Sequence, residues 1–148
     1  MTKNENKIIK QALQILESRI SKPDSYISNP KDAVNYIKLN IATREHEVFV
    51  AIFLDTQHGI IEYNEMFRGT VNGSSVHPRE VIKQALAVNA SAVIFAHNHP
   101  STKIIPSAAD RHITKTLTEG LKYIDVKVLD HFIIGGIEHF SFAENGLL

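Results

Sequence analysis

A chain of 148 residues with zero formal net charge, 43% hydrophobic and 22% charged side chains has the make-up of one ordinary globular domain. The balanced charge lacks the basic surplus of a dedicated nucleic-acid binder. The absence of cysteine excludes disulfides, cysteine-ligated zinc and thiol catalysis. The N-terminus, MTKNENKIIKQ, has no apolar segment of the secretory type. The apolar runs VFVAIFL and AVIFA fall far short of the ~20 residues that a membrane span requires. A soluble, cytoplasmic protein with no membrane partner is therefore the expectation.

The periodicity then reads in chain order. Residues 7–20 place Ile9, Ala12, Leu13, Leu16 and Ile20 on one helical face. Ser21-Lys22-Pro23-Asp24-Ser25 breaks that helix. A second starts near Asn29-Pro30, with proline at its first position and Ala33, Val34, Ile37 and Leu39 turned inward. The run from Val48 to Leu54 is continuous, branched and aromatic, which predicts a buried strand. Asp55 to Gly59 reads as a turn, and Ile60 to Arg68 as the returning strand of a hairpin. Pro78 to Asn89 predicts a helix that buries Ile82, Ala85 and Leu86. Ala92 to Ala96 predicts another buried strand, with His97 at its C-terminal end. Ser107 to Leu121 carries Ala109, Ile113, Leu117 and Leu121 at helical spacing, with Gly120 helping to end the helix. Strands follow at 126–129, 132–134 and 139–142, the last two joined at Gly135-Gly136. The whole is one α/β domain with a mixed sheet flanked by helices.

One cluster carries chemistry. His97 and His99 are two apart at a strand end, so extended backbone places them on one face with Cβ atoms about 6.5–7 Å apart. Imidazoles reaching across that gap can share an ion. Pro100 stiffens the exit, and the loop 100–106 lets the chain return. Asp110 then falls in the first turn of a helix, where a carboxylate is favoured. Two histidines and a carboxylate leave a coordination position open, as in catalytic zinc sites. The same set describes non-haem iron sites. Ser107-Ala108-Ala109-Asp110 also fits a capping box, a purely structural role that can coexist with ligation. Nucleobase deaminases need cysteines that this chain lacks. Elsewhere, Asp130-His131 reads as a buried hydrogen-bonded pair rather than an outer layer orienting a ligand. His46, His58, His112 and His139 read as surface or structural. Ile104 and Ile105 read either as a substrate or partner contact or as a loop anchor.

The run His97-Asn98-His99-Pro100-Ser101 … Pro106-Ser107-Ala108-Ala109-Asp110 resembles the JAB (JAMM, MPN+) metallopeptidase motif, His-x-His-Pro … Ser-x-x-Asp. Phe53 to Gln57, Phe67 to Thr70, Val76 to Glu80, Asn89-Ala90, Asp130-His131 and Ser141 to Glu144 narrow the resemblance to the bacterial RadC-like branch, over about residues 30–148. The resemblance implies a JAB/MPN-like domain of cytidine-deaminase-like architecture over residues 29–148, with an N-terminal helix and connecting turn over 1–28. It implies Zn2+ held by His97, His99 and Asp110, with a peptide or protein as substrate. It implies a strand glutamate as general base on the attacking water: Glu47, with Glu45 as fallback on the same face by parity. Ser107 would steady the oxyanion. The expected reaction is hydrolysis of a peptide or isopeptide amide. The alternative is a non-catalytic RadC-like binding module or DNA-repair accessory that keeps the fold. Nucleic acid is weakly supported as a partner, because the stretch ahead of the shared part is too short for the helix-hairpin-helix region of longer relatives. One departure stands out: Thr102 occupies the position after His-Pro-Ser where many members carry glycine.

Overall fold

The computed structural model describes residues 2–20, 27, 30–69 and 76–148. The predicted break at 21–25, the 28/29 boundary and Thr70 lie outside the described residues, as does the side chain of Ile20. Among the described residues, four helices and five strands run in the order α1 (Lys3–Ile20), α2 (Pro30–Ile41), β1 (Glu47–Leu54), β2 (Ile60–Gly69), α3 (Pro78–Ala87), β3 (Ala92–Asn98), α4 (Ala108–Lys122), β4 (Lys127–Gly135) and β5 (Glu138–Ser141). The strands form one mixed sheet in the order β2-β1-β3-β4-β5. Only the β3–β4 pair is parallel, bridged by α4; the other pairs are antiparallel. A parallel pair needs such a crossover helix, and it carries α4 back over the sheet. Among the described residues no helix is long and apolar enough to cross a membrane.

The sheet is buried on both faces, which explains why β1 and β3 are apolar without alternation. Val48, Val50, Ile52 and Leu54 of β1 meet Ala33, Val34, Tyr36, Ile37 and Ile41 of α2. Phe49, Ala51 and Phe53 face the other way, against Val81 and Ala85 of α3 and Ile113, Leu117 and Leu121 of α4. Leu16 of α1 packs on the α2 side.

Three inward assignments shift. Leu39 is half-buried, while Tyr36 and Ile41 are buried in α2. In α3 Val81 and Ala85 are the buried pair, Ile82 is half-buried and Leu86 is 59% exposed. Leu86 lies ~100° round the helix from Ala85, beyond the stripe that the sheet covers. Gly120 does not end α4, which continues to Lys122. A Cβ there would stand 3.3 Å from Ile82 Cδ1, so this glycine serves the α3–α4 approach.

The largest difference is in β4. The two predicted segments 126–129 and 132–134 form one continuous strand through Asp130 and His131. Val93 pairs with Val128, but Ile94 pairs with Asp130, so Leu129 is an extra, bulged residue. The bulge reverses the parity of the strand. Val128 points to the α3–α4 side, whereas Phe132 and Ile134 point to the α2 side. His131 is thereby turned onto the same face as His97.

Candidate metal centre

The centre lies where β3 ends and α4 begins. His97 is fully buried in β3, His99 is just beyond the strand with its side chain 14% exposed, and Asp110 is buried in the first turn of α4. His97 Nε2 is 3.0 Å from His99 Nε2, 3.2 Å from Asp110 Oδ1, and His99 Nε2 is 3.3 Å from Asp110 Oδ2. Tetrahedral coordination at 2.0–2.1 Å separates ligand atoms by about 3.3 Å, so the three groups form a triangle of the right size for one ion. Among the described residues they are the grouped ligands that could hold a metal.

The outer nitrogens strengthen this reading. His99 Nδ1 is 2.6 Å from the Lys103 carbonyl, which can only accept, so the proton sits on Nδ1 and Nε2 carries a lone pair. His97 Nδ1 lies 2.8 Å from His131 Nε2. Phe49 stacks on His97, and Phe142 stacks on His131 with centroids 4.7 Å apart. If His97 is likewise protonated on Nδ1, the triangle contains acceptors alone. Such a triangle demands a cation at its centre, either a metal ion or a captured proton.

The ionisation tendencies agree. Burial alone would push the Asp110 carboxyl up, but the imidazoles of His97 and His99 beside it, which hydrogen-bond it when the triangle captures a proton, hold it well below the usual range. The hydrogen bond that His99 makes to Asp110 once Nε2 also holds a proton lifts its value above the ordinary imidazole one against its own desolvation, with help from the Lys103 carbonyl and the charges of Asp110 and Glu47. Burial, then the charge of His97, keeps His131 neutral far below that value.

A pH test follows. His99, raised in the fold, contributes stability that is complete below the unfolded value of 6.5 and is lost as pH rises through its folded value. Asp110, depressed, contributes above 3.8 and loses this only as pH falls through its folded value. His131 runs the opposite way to His99, but its contribution is complete above 6.5. From the unfolded value of 6.5 up through its raised folded value, His99 therefore dominates these three groups. The metal-free protein is expected to lose thermal stability across that window. With zinc present the trend should reverse, because metal and proton compete for one site. Melting curves at several pH values, with chelator or with zinc, check this.

Ser107 caps α4. Its Oγ accepts from Asp110 N–H at 3.0 Å, and Asp110 Oδ2 accepts from Ser107 N–H at 2.8 Å. The capping box thus coexists with the ligand position of Asp110 and orients that carboxylate. Ser107 is exposed, and its own hydroxyl proton is not used by the box. Glu47 opens β1 half-buried, on the face of Phe49 and His97, which oppose each other in the ladder. Glu45 lies in the bend before the strand and is exposed, so strand parity does not extend to it.

The sequence favours a structural pair for Asp130-His131 over an outer layer that orients a ligand, and it gives Asn98 no role. His131 contacts His97 directly, whereas Asp130 is structural: it accepts from His131 N–H, Ser141 Oγ and Ala143 N–H, tying β4 to β5. Asn98, between the ligand histidines, points to the opposite face. Its Oδ1 accepts from Val48 N–H at 2.7 Å, and its Nδ2 donates to the carbonyls of Arg44 and His46. It extends the β1–β3 ladder by a side chain and fixes the segment that delivers Glu47.

The loop after His99 explains the unusual threonine. Thr102 has φ 64°, a left-handed conformation in which a β-branched residue is strained. Its N–H closes a turn on the His99 carbonyl, and a Cβ on Gly135 would lie 2.5 Å from the Thr102 oxygen. Ile104 is half-buried beside that glycine, while Ile105 is 76% exposed. Thr102→Gly is expected to stabilise the protein by about 1 kcal/mol, the left-handed penalty less the added freedom of the unfolded chain. A shift of the urea midpoint to higher concentration checks it.

Comparison with known proteins agrees with the geometry. Residues 27–147 match the RadC-like JAB domain. A UPF0758 protein of Vibrio cholerae is 47% identical over 97% of this chain and 90% of its own length. The UPF0758 protein YeeS of Escherichia coli is 45% identical over the full length of both. A UPF0758 protein of Methylibium petroleiphilum is 47% identical over 95% of this chain, which spans 63% of that longer protein. The family match over residues 27–147, the mixed five-stranded sheet and the His-His-Asp triangle have one common explanation: this chain belongs to the RadC-like JAB domain family.

Proposed function

We propose that the protein is a zinc-dependent metallopeptidase that hydrolyses a peptide or isopeptide amide bond. The observation that carries this reading is the triangle of His97, His99 and Asp110, sized for one ion and closed by a carboxylate. Three ligands leave a position open, and nitrogen with carboxylate oxygen suits zinc. Bound there, zinc would acidify an attacking water and polarise the amide carbonyl.

The chain's own residues supply the rest. Glu47 takes the proton of the attacking water and passes it to the leaving amine. Its position supports this: it is on the ligand face, half-buried, and its charge is felt at His99. The Ser107 hydroxyl donates to the oxygen on which charge develops. Asp110 stays ionised throughout, held so by its neighbours.

Two measurements on the purified protein test the proposal. Metal analysis should find about one zinc per chain, and incubation with a peptide library should yield new amine termini in a chelator-sensitive manner. Zinc below a tenth of an equivalent after incubation with excess ion would overturn it. Ser107→Ala should cost about 1 kcal/mol through the lost cap. It should also slow hydrolysis by more than the change in folded fraction accounts for, while Ser107→Thr keeps both. Denaturation and rate, measured on the same preparations, separate the two effects.

A further inference from the structure

We propose that His131 and Thr114 are positioning residues that fix the tautomer of His97, so that its Nε2 lone pair faces the ion. The inference rests on the metal reading above and extends it to two residues outside the ligand set. Its ground is a chain of hydrogen bonds whose direction is set at one end.

Thr114 Oγ1 is 2.6 Å from the carbonyl oxygen of Asp110, one helical turn earlier. A carbonyl cannot donate, so the single hydroxyl proton points at it. Thr114 Oγ1 also lies 2.6 Å from His131 Nδ1. With its proton spent, the hydroxyl must accept there, so His131 carries N–H at Nδ1. His131 is fully buried among Phe49, Phe95 and Phe142, surroundings that favour the neutral ring. Its Nε2 is then a lone pair, and at 2.8 Å it accepts from His97 Nδ1. His97 is left with a bare Nε2, turned toward His99 and Asp110.

The path closes on itself. Asp110 ends the relay with its backbone carbonyl and supplies a ligand with its carboxylate. One residue thus sets both the proton position on His97 and the third corner of the triangle. The Leu129 bulge is what makes this reachable, since without it His131 would face the other side of the sheet. Outer partners of this kind typically change metal affinity 10–100-fold.

The test reads the tautomer directly. Histidine labelled with 15N in the metal-free protein at pH 8 gives long-range proton–nitrogen spectra that distinguish protonated from bare ring nitrogens. His97 should show a protonated Nδ1 and a bare Nε2. Thr114→Val keeps the side-chain shape and removes the hydroxyl. It should mix the tautomers and weaken zinc binding at least about tenfold in chelator competition, and Thr114→Ser should restore both. A proton on Nε2 in the wild type overturns the proposal, as does a Thr114→Val protein with unchanged tautomer and unchanged affinity. If Thr114→Val does not fold, the wild-type spectrum alone decides. If the wild type takes up no zinc but shows the stated tautomer, the metal reading fails and the relay stands. Zinc uptake with the opposite tautomer is the failure of the relay alone.

Discussion

Glu47→Gln is expected to lower amide hydrolysis about 10²–10⁴-fold, the usual contribution of a positioned general base, with zinc content unchanged. Glutamine keeps the shape and much of the hydrogen bonding of glutamate but cannot take a proton. Glu47 opens β1 and does not belong to the ligand triangle, so the substitution leaves the triangle's geometry in place. One electrostatic change should accompany it: removing the charge relaxes a small part of the upward push on His99. Single-turnover rates with matched zinc-loaded proteins check the prediction. Loss of zinc together with activity would move Glu47 into the ligand set. Unchanged activity would remove it from the mechanism and return Glu45 to consideration.

Asp110→Asn is expected to abolish stable zinc binding while the fold survives. Asparagine retains a side-chain carbonyl to accept Ser107 N–H, so the capping box should persist within about 1 kcal/mol. What it removes is the negative charge that balances an ion among neutral imidazoles. The loss in affinity should exceed about 100-fold, the upper end for a residue that merely supports a ligand. The elevated proton affinity of His99 should fall with it, since its hydrogen bond to Asp110 is the leading cause. Chelator competition, histidine titration by NMR and urea denaturation read these three consequences separately. Hydrolysis should disappear with the metal. Activity that persisted without metal would refute the zinc mechanism outright.

Much of this was legible in the chain, for physical reasons. The burial of β1 and β3 on both faces wrote itself as continuous apolar runs, and Pro78 and Ser107 marked helix starts. The triangle was legible because His97, His99 and Asp110 lie close in sequence, at spacings that a strand end and a first helical turn convert into proximity. The roles of His131 and Asn98 were not. His131 depends on a one-residue bulge in β4, and bulges leave no clear mark in periodicity. The polar pair Asp130-His131 made one strand read as two. Asn98 carried no signal in the sequence because its work is done on the opposite face of the sheet, with backbone 50 residues away. Leu86 was misplaced for a simpler reason: an apolar residue beside a buried stripe looks like part of it.

The bridge that Asn98 makes has a further consequence, for how the centre is divided along the chain. Both histidines, the carboxylate and the relay through Thr114 and His131 belong to the β3–α4–β4 unit. Glu47 does not; it arrives with β1, across the antiparallel seam that Asn98 extends. On the proposed reading, ion binding and hydrolysis draw on different parts of the chain, and the asparagine between the two histidines is the side chain that joins them.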